Sequence, residues 1–200
     1  MNKELKYIEN QIKLFHKLAK PADQTQRSIS KELNVALGVA NTMIKKFLKK
    51  GLLKFKEAPV NRYLYYITAK GFVEKAKLVK EFVHSSLNFY RKAKAEFEKI
   101  FLELKKSKFK KIILTGTGEL TEIAILSANM TETKNIVVYD KNYSHKKFFG
   151  IDVENDIKKF KLNNNKVAFI LTQSTNSMKV YKELSEYNFK IFKPKFLFLD

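Results

Sequence analysis

The sequence predicts an α+β fold in three parts: a winged helix-turn-helix, a long connecting helix, and a small α/β Rossmann-like domain with a parallel sheet. Three observations support this prediction. A short and a longer amphipathic segment precede two strand-like runs, an unbroken heptad pattern follows, and buried strands then alternate with helices. We place the domain boundaries at residues 1–69, 70–108 and 109–200.

The composition indicates folded domains and a basic first half. Of the 200 residues, 44% are hydrophobic and 13% are aromatic, which is enough to build cores. The formal net charge is +20, with 25 Lys and Arg against 10 Asp and Glu in residues 1–109, and 15 against 10 in residues 110–200. A polyanionic partner is therefore expected for the first half. An AT-rich genome also produces excess lysine, so charge alone does not decide the partner.

The chain contains no cysteine, which excludes disulfides, thiolate zinc sites and a cysteine nucleophile. No apolar run reaches the roughly 18 residues that a membrane span needs. The lysine-rich start is followed by an amphipathic pattern and not by the core of a signal peptide. We therefore expect a soluble, cytoplasmic protein without a membrane partner.

The first half predicts a helix-turn-helix. Residues 3–19 place apolar side chains three and four positions apart, which is typical of an amphipathic helix. Ser28 is suited to cap a short second helix, and Asn34 follows it in a tight turn. A third helix is then predicted from about Ala36 to Lys50, and it ends at Gly51, a residue suited to the left-handed position after a helix.

The outer face of this third helix is predicted to enter the major groove of DNA, because its side chains are small and polar at first and cationic later. Asn41 is expected to pair with adenine through two hydrogen bonds, and the lysines to reach phosphates. The predicted contacts, including two residues at the start of the short helix, are Arg27, Ser28, Leu37, Gly38, Asn41, Thr42, Lys45, Lys46 and Lys49.

The stretch "LLKFKEAPVNRYLYYIT" then predicts two strands, with Asn61 and Arg62 at the tip between them. Such a wing lies along the DNA backbone or reaches into a minor groove. "RSISKELNVALGVANTMIKKFLKKGLLK" followed by "YLYYITAKGFVEKAKLVKEFV" resembles the MarR-type winged-helix regulators associated with extracellular-polysaccharide gene clusters, over residues 4–100. The resemblance implies sequence-specific binding of double-stranded DNA. A helix-turn-helix used only for packing is the alternative.

The connecting helix has apolar or small residues at alternating spacings of four and three, which is a heptad pattern. These positions are Phe72, Ala76, Val79, Val83, Ser86, Tyr90, Ala93, Phe97, Ile100 and Leu104. We favour a homodimer through this seam, which predicts an inverted-repeat operator. In the alternative, the seam packs against the first helix and the second domain.

The second half predicts a parallel sheet with a ligand site at one edge. "KKIILTGTGELTEIAIL" is typical of a strand, a glycine turn and a helix, and "NIVVYD" is a second strand that ends in Asp140. The spacing from Gly116 to Asp140 is close to that between a pyrophosphate turn and a ribose-binding acid. The candidate ligand-binding residues are Thr115, Gly116, Thr117, Gly118, Glu119, Leu120, Asp140, Lys141, Thr172, Gln173 and Ser174.

Two positions weigh against a standard dinucleotide. Thr121 stands where the motif has its third glycine. Glu119 stands at the helix start, where its carboxylate competes with an anionic ligand for the same N–H groups. A nucleotide, a nucleotide sugar or NAD(H) remains open as effector, and so does a site that has lost its ligand.

Two families resemble this half over about residues 109–195. "GTGELTEIAIL", "VVYD", "FFGIDVENDI" and "VAFILTQSTNSMKVYKELSEYNFKI" look like the Rossmann-like N-terminal domains of sugar acyltransferases that hold a nucleotide sugar. The same pattern is similar to the NADH-binding domain of Rex repressors. These resemblances imply an effector held at the glycine turn.

No set of residues has the spacing of a catalytic triad or a metal site. The three histidines are scattered, at His16, His84 and His145. Asp152, Glu154 and Asp156 alternate but lack an EF-hand loop, so a solvated surface is favoured over calcium. We expect no catalytic residue, no metal and no enzymatic activity.

These observations together predict a cytoplasmic transcriptional regulator, a homodimer on DNA whose second domain senses a nucleotide or nucleotide-sugar type ligand. The alternative is a nucleotide-sugar-binding accessory protein or an enzyme of polysaccharide synthesis, with the winged helix used for protein interaction. A second domain that binds nothing is the third possibility.

Overall fold

The protein is described here by a computed structural model, which covers residues 3–20, 25–58 and 62–197. The helices in this part of the chain are α1 (Lys3–Leu18), α2 (Gln26–Leu33), α3 (Leu37–Lys49), α4 (Ala69–Lys105), α5 (Glu119–Met130) and α6 (Ser177–Ser185). The strands are β1 (Leu53–Ala58), β2 (Arg62–Ile67), β3 (Lys111–Thr115), β4 (Ile136–Tyr139), β5 (Lys147–Phe148), β6 (Ile151–Glu154), β7 (Val167–Leu171) and β8 (Lys190–Phe192). Two 3-10 helices span Ile157–Lys166 and Lys195–Leu197.

The chain divides into two compact units, and the division lies inside α4. Unit 1 comprises Met1–Leu87 and unit 2 comprises Asn88–Asp200. None of the helices in the described ranges combines the length and the apolar character that crossing a membrane requires. The fold is α+β, with three helices and a hairpin before α4 and a mostly parallel sheet after it.

In unit 1, α2 and α3 are joined by a tight turn at Asn34, as the sequence predicts. Asn34 has φ 51°, and its N–H donates to the carbonyl of Lys31. The cap of α2 differs from the prediction, because Thr25 is the capping residue and its Oγ1 accepts from the N–H of Ser28 at 3.2 Å. Ser28 was predicted to cap, yet it lies inside the first turn.

The end of α3 is stabilised by a Schellman motif. The N–H of Leu52 donates to the carbonyl of Phe47, and that of Gly51 donates to the carbonyl of Leu48. Gly51 has φ 68°, the left-handed conformation that glycine adopts without steric cost. The buried face of α3 packs into the core of unit 1, where the rings of Phe15 and Phe47 lie 4.7 Å apart.

The hairpin and the start of α4 are fixed by a close backbone approach. Strands β1 and β2 are antiparallel, with Leu53 opposite Ile67. The Thr68 hydroxyl accepts from the N–H of Gly71 at 3.0 Å and donates to the carbonyl of Gly51 at 2.7 Å. A Cβ at Gly71 would lie 2.2 Å from the carbonyl oxygen of Leu52, so only glycine fits here.

Unit 2 is a six-stranded sheet in the order β5-β6-β4-β3-β7-β8, compatible with a Rossmann-like domain. All neighbouring pairs are parallel except the short hairpin of β5 and β6. The strand and glycine-turn pattern of the sequence predicted β3 and β4, but not β5 and β6. A 3-10 helix, Ile157–Lys166, precedes β7.

The heptad seam of α4 is divided between two environments. Its last four members are buried in the core of unit 2, where they pack with residues of β3 and α5: Ala93, Phe97, Ile100 and Leu104. This part is therefore not available to a second chain, and the prediction of one continuous dimer seam needs correction. Phe72, Val79 and Val83 in the first half are exposed by 56%, 38% and 48%.

The fit around Gly71 makes a stability prediction. Gly71→Ala is expected to lower the free energy of unfolding by about 1–3 kcal/mol, since the new Cβ meets backbone that cannot move aside. Gly38→Ala is the control, because nothing lies within 4 Å of a Cβ there and alanine favours a helix by up to about 1 kcal/mol. Denaturant unfolding of both variants measures this, and equal stability of the two would contradict the packing described.

Candidate functional site

The first candidate surface is the outer face of α3 in unit 1. Ala40, Met43, Ile44 and Phe47 are buried on one side of the helix. Five of the predicted contacts lie exposed on the other side: Gly38, Thr42, Lys45, Lys46 and Lys49. Lys45 and Lys49 make no ion pair within the described part of the chain, so their charges face solvent.

Three further predicted contacts lie at the edges of this surface. Leu37 is 42% exposed at the start of α3, and Arg27 is exposed in the first turn of α2. Ser28 is half-buried, and its hydroxyl donates to the carbonyl of Thr25 at 3.0 Å. The hydroxyl of Ser28 is therefore committed to the start of α2, and the prediction that it contacts DNA through that group needs correction.

Asn41 also differs from its predicted role. The residue is half-buried, and its Oδ1 is buried without a hydrogen-bond partner among the described residues. A contact to adenine through two hydrogen bonds requires both the amide oxygen and the amide nitrogen to be accessible. The predicted two-bond contact is therefore not available in this conformation. Of the two wing residues, Asn61 lies outside the described residues, and Arg62 is placed as the first residue of β2 without a described side chain.

Tyr7 of α1 joins this surface, and the sequence did not indicate it. Its hydroxyl accepts a hydrogen bond from Nζ of Lys46 at 3.0 Å, and the same Nζ lies 5.4 Å from the centre of the ring. A shallow, mainly apolar pocket of about 230 Å³ lies beside it, lined by Tyr7, Gly38, Val39, Thr42, Met43 and Lys46. The ring holds Lys46 at one flank of the face that Lys45 and Lys49 share.

The second candidate site is the carboxyl edge of the sheet in unit 2. Gly116 follows β3 with φ 82°, and its N–H donates to the carbonyl of Tyr139 at 2.7 Å. The side chain of Gln173 packs against it, and a Cβ at position 116 would lie 2.4 Å from Cγ of Gln173. The positive φ favours glycine at this position, and the side chain of Gln173 covers the side of Gly116 where a Cβ would stand.

Asp140 binds the glycine turn itself. Its Oδ2 accepts from the N–H and the Oγ1 of Thr117, at 3.0 and 2.7 Å, and its Oδ1 accepts from the N–H of Asn142 at 3.0 Å. A carboxylate thus occupies a backbone N–H in the turn where an anionic ligand was predicted. Three of the roughly four lone-pair positions of this carboxylate are thus used within the chain, which leaves about one, on Oδ1, for a ribose hydroxyl.

Three threonines tie β3, α5 and β7 together under this turn. Thr121 Oγ1 lies 2.6 Å from the carbonyl of Gly116 and 2.8 Å from Thr172 Oγ1. Thr172 donates from its hydroxyl to the carbonyl of Thr115 at 2.6 Å and from its N–H to Thr115 Oγ1 at 3.1 Å. All three are buried, so Thr121, in the place of the third glycine, acts as a structural link.

The remaining predicted ligand residues fall into two groups. Thr115, Leu120 and Thr172 are buried and make no open edge, which corrects their assignment to a ligand. Glu119, Lys141 and Ser174 are exposed, and Gly118 is half-buried with open space beside it. The structure therefore brings Thr117 into contact with Asp140 and Gly116 into contact with Gln173.

The acidic run that follows β5 is neutralised by lysines. Asp152 lies 3.7 Å from Lys147, and Glu154 lies 2.9 Å from Lys159. Burial acts to raise the pKa of Glu154, but the hydrogen bonds from Lys159 and the N–H of Asp156 outweigh it and lower the pKa. Among the described residues, no group of three or more His, Asp or Glu is placed to hold a metal ion.

Comparisons with known proteins do not assign the chain to a family. No model of a protein family matches the chain, and no curated protein matches it. Among solved structures, one similar chain is human N-acetylserotonin methyltransferase in complex with SAM, at 11% identity and a TM-score of 0.32. The likeness covers 84% of this chain and 66% of that one, which is just under two thirds of its length.

This match overturns the expectation that the chain is not an enzyme, since the matched protein is a methyltransferase. We therefore withdraw that expectation. At a TM-score below 0.5, the likeness assigns the chain neither the fold of that protein nor its activity.

Proposed function

We propose that unit 1 is a winged helix-turn-helix domain that binds double-stranded DNA, as in a cytoplasmic transcriptional regulator of the MarR type. The observation that supports this most is the two-sided character of α3. One side packs into the core, and the other presents Gly38, Thr42, Lys45 and Lys49 to solvent. A helix of this kind after a short helix and a tight turn has the form that docks in a major groove.

Within the proposed interface, different side chains have different tasks. Lys45 and Lys49 neutralise phosphates and add affinity without reading sequence. Thr42 lies one turn after Gly38, and its hydroxyl donates to the carbonyl of Gly38 at 2.8 Å. With its hydroxyl turned back to the helix, its methyl group is the part suited to contact the methyl group of thymine. The hairpin of β1 and β2 serves as the wing.

We place the homodimer seam on the first half of α4. Phe72, Val79 and Val83 are exposed apolar residues at heptad spacing, whereas the later heptad positions are used inside unit 2. Such a stripe favours pairing with the same stripe of a second chain. Two copies of α3 in a two-fold dimer would read an inverted repeat.

We propose further that unit 2 binds an effector of the nucleotide or nucleotide-sugar type at the glycine turn. In the structure the turn is closed by the chain's own groups, because Asp140 binds Thr117 and Gln173 covers Gly116. Binding would therefore require Gln173 to move, and the effector favours the open form only by the contacts it gains there.

DNA binding by α3 predicts a specific salt dependence. Lys45→Gln with Lys49→Gln should weaken binding to every duplex sequence. The plot of log affinity against log salt concentration should become less steep by about 2, because about one counterion is released for each phosphate contact. Lys77→Gln with Lys80→Gln on α4 is the charge-matched control, since both lysines are exposed outside α3. Fluorescence anisotropy across a salt series measures the slopes, and equal slopes for both double variants would refute the role of α3.

The dimer seam makes a separate prediction. Val79→Lys with Val83→Lys should convert a dimer into a monomer, because two charges on the apolar stripe repel the partner copy. Val73→Lys is the control, since Val73 is 72% exposed and outside the seam. Sedimentation equilibrium gives the mass, and a mass unaffected by the double substitution would exclude this face as the dimer interface.

The closed turn in unit 2 predicts that Gln173 limits effector binding. Calorimetric titrations with NADH, a UDP-sugar and a nucleoside triphosphate should show tighter binding of at least one of them to Gln173→Ala than to the unaltered chain. Ser174→Ala is the neighbouring control, because Ser174 is exposed and does not cover Gly116. Absence of heat with all three ligands in every variant would indicate that the turn has no such ligand.

A further inference from the structure

The amino edge of the sheet in unit 2 displays a row of lysines that none of the functions above uses. Lys134 lies two residues before β4, Lys110 directly before β3, and Lys166 directly before β7, while Lys190 is the first residue of β8. These strands are consecutive in the sheet, in the order β4-β3-β7-β8. All four lysines are exposed. Neighbouring strands lie about 4.8 Å apart, so Lys134, Lys110 and Lys166, which share one register level, form a line of positive charge. Lys190 is opposite Ala168, two residues farther into the sheet.

The backbone at this edge is ordered by hydrogen bonds between strands. The N–H of Lys110 donates to the carbonyl of Lys166 at 2.8 Å, and the N–H of Ile112 donates to the carbonyl of Asn135 at 3.1 Å. The registers of β3 with β4 and with β7 continue these pairs into the sheet. The positions of the lysine backbones are thus fixed by the sheet and do not depend on a flexible tail.

The charge of the edge is positive after its acids are counted. Lys105, Lys106, Lys108 and Lys111 are also exposed near this edge, where α4 ends and β3 begins. The exposed acids near it are Glu103, Glu132 and Glu186, at the ends of α4, α5 and α6, and Asp152 in β6, which lies 3.7 Å from Lys147. A lysine in the last turn of a helix, such as Lys105, offsets the partial negative charge at the helix C-terminus, but this effect does not reach lysines beyond the last turn, such as Lys110. Lys110, Lys134 and Lys166 form no ion pair within the described ranges.

An exposed aromatic ring stands at one end of the row. Phe149 is 66% exposed and has φ 49°, an unfavourable conformation for a bulky residue, and Gly150 follows with φ 80°. Together they form the two-residue turn between β5 and β6. Because Val138 of β4 is opposite Val153 of β6, this turn lies beside the start of β4, next to Lys134. A strained, solvent-facing ring at a defined position is typical of a functional site.

We propose that this edge binds single-stranded nucleic acid, with the lysine row along the phosphodiester backbone and Phe149 stacked on a base. A positive track combined with an aromatic platform is the arrangement that holds single strands without regard to sequence. The proposal concerns unit 2 alone, and it stands whether or not α3 binds duplex DNA. DNA and RNA share the chemistry that the edge recognises.

The experiment uses the full chain with Lys45→Gln and Lys49→Gln already present, so that α3 contributes little. Binding of labelled oligothymidylate and oligouridylate of about 16 nucleotides is followed by anisotropy over a salt series. Adding Lys110→Gln, Lys134→Gln and Lys166→Gln should make the plot of log affinity against log salt concentration less steep by about 2. Lys146→Gln, Lys158→Gln and Lys179→Gln, exposed outside the row, form the charge-matched control and should leave the slope unchanged.

Phe149→Asn separates the role of the ring from that of the fold. Asparagine followed by glycine is the preferred pair where both central residues of a hairpin turn have positive φ, so this variant should be at least as stable as its parent. Loss of stacking should nonetheless weaken binding about tenfold. If Phe149→Asn lowers the affinity for oligothymidylate and oligouridylate equally, the edge accepts both DNA and RNA. If it lowers the affinity for only one of them, that one is the ligand. Equal slopes for both triple variants, or unchanged affinity of Phe149→Asn, would overturn the proposal.

Discussion

Both cores of the protein depend on one uninterrupted helix. α4 has 37 residues, about 55 Å at the rise of an α-helix, and it supplies side chains to each unit. Leu78 is buried in the core of unit 1, and Phe97 and Phe101 are fully buried in the core of unit 2. A break in α4 would therefore remove packing from both units. Packing into both cores requires an unbroken helix, and α4 contains no proline and no glycine after Gly71, the site of its close approach to Leu52.

Packing of α4 into the core of unit 2 also limits which part of the heptad stripe can pair with a second chain. Apolar residues spaced three and four positions apart predict that one side of the helix is buried, but they do not identify the surface that buries it. In α4 that partner is the core of unit 2 from Ala93 onward. Before that point the stripe remains exposed at Phe72, Val79 and Val83, and the proposed dimer uses this segment alone. A single periodic pattern thus serves two different contacts along its length.

Local features could be predicted from the sequence, and contacts between distant residues could not. The tight turn at Asn34 and the left-handed conformation of Gly51 were both predicted, and both residues adopt positive φ more easily than most. The bond of Asp140 to Thr117 depends on the pairing of β3 with β4, which places residues 23 positions apart in contact. Tyr7 reaches Lys46 across 39 positions because α1 and α3 pack in the same core. The cap at Thr25 was missed because Ser28, three residues later, has an equally suitable hydroxyl.

If the outer face of α3 lies in the major groove of DNA, as proposed, a cleavage reagent tethered to that face cuts the bound duplex at defined positions. The chain contains no cysteine, so Thr42→Cys offers a single attachment point on that face and Lys77→Cys a matched point on α4. Iron–EDTA attached at position 42 should cut a bound duplex within a few base pairs of one position in each half-site, while iron–EDTA at position 77 should give weak, spread cleavage. Equal and unlocalised cleavage from both positions would contradict the proposal.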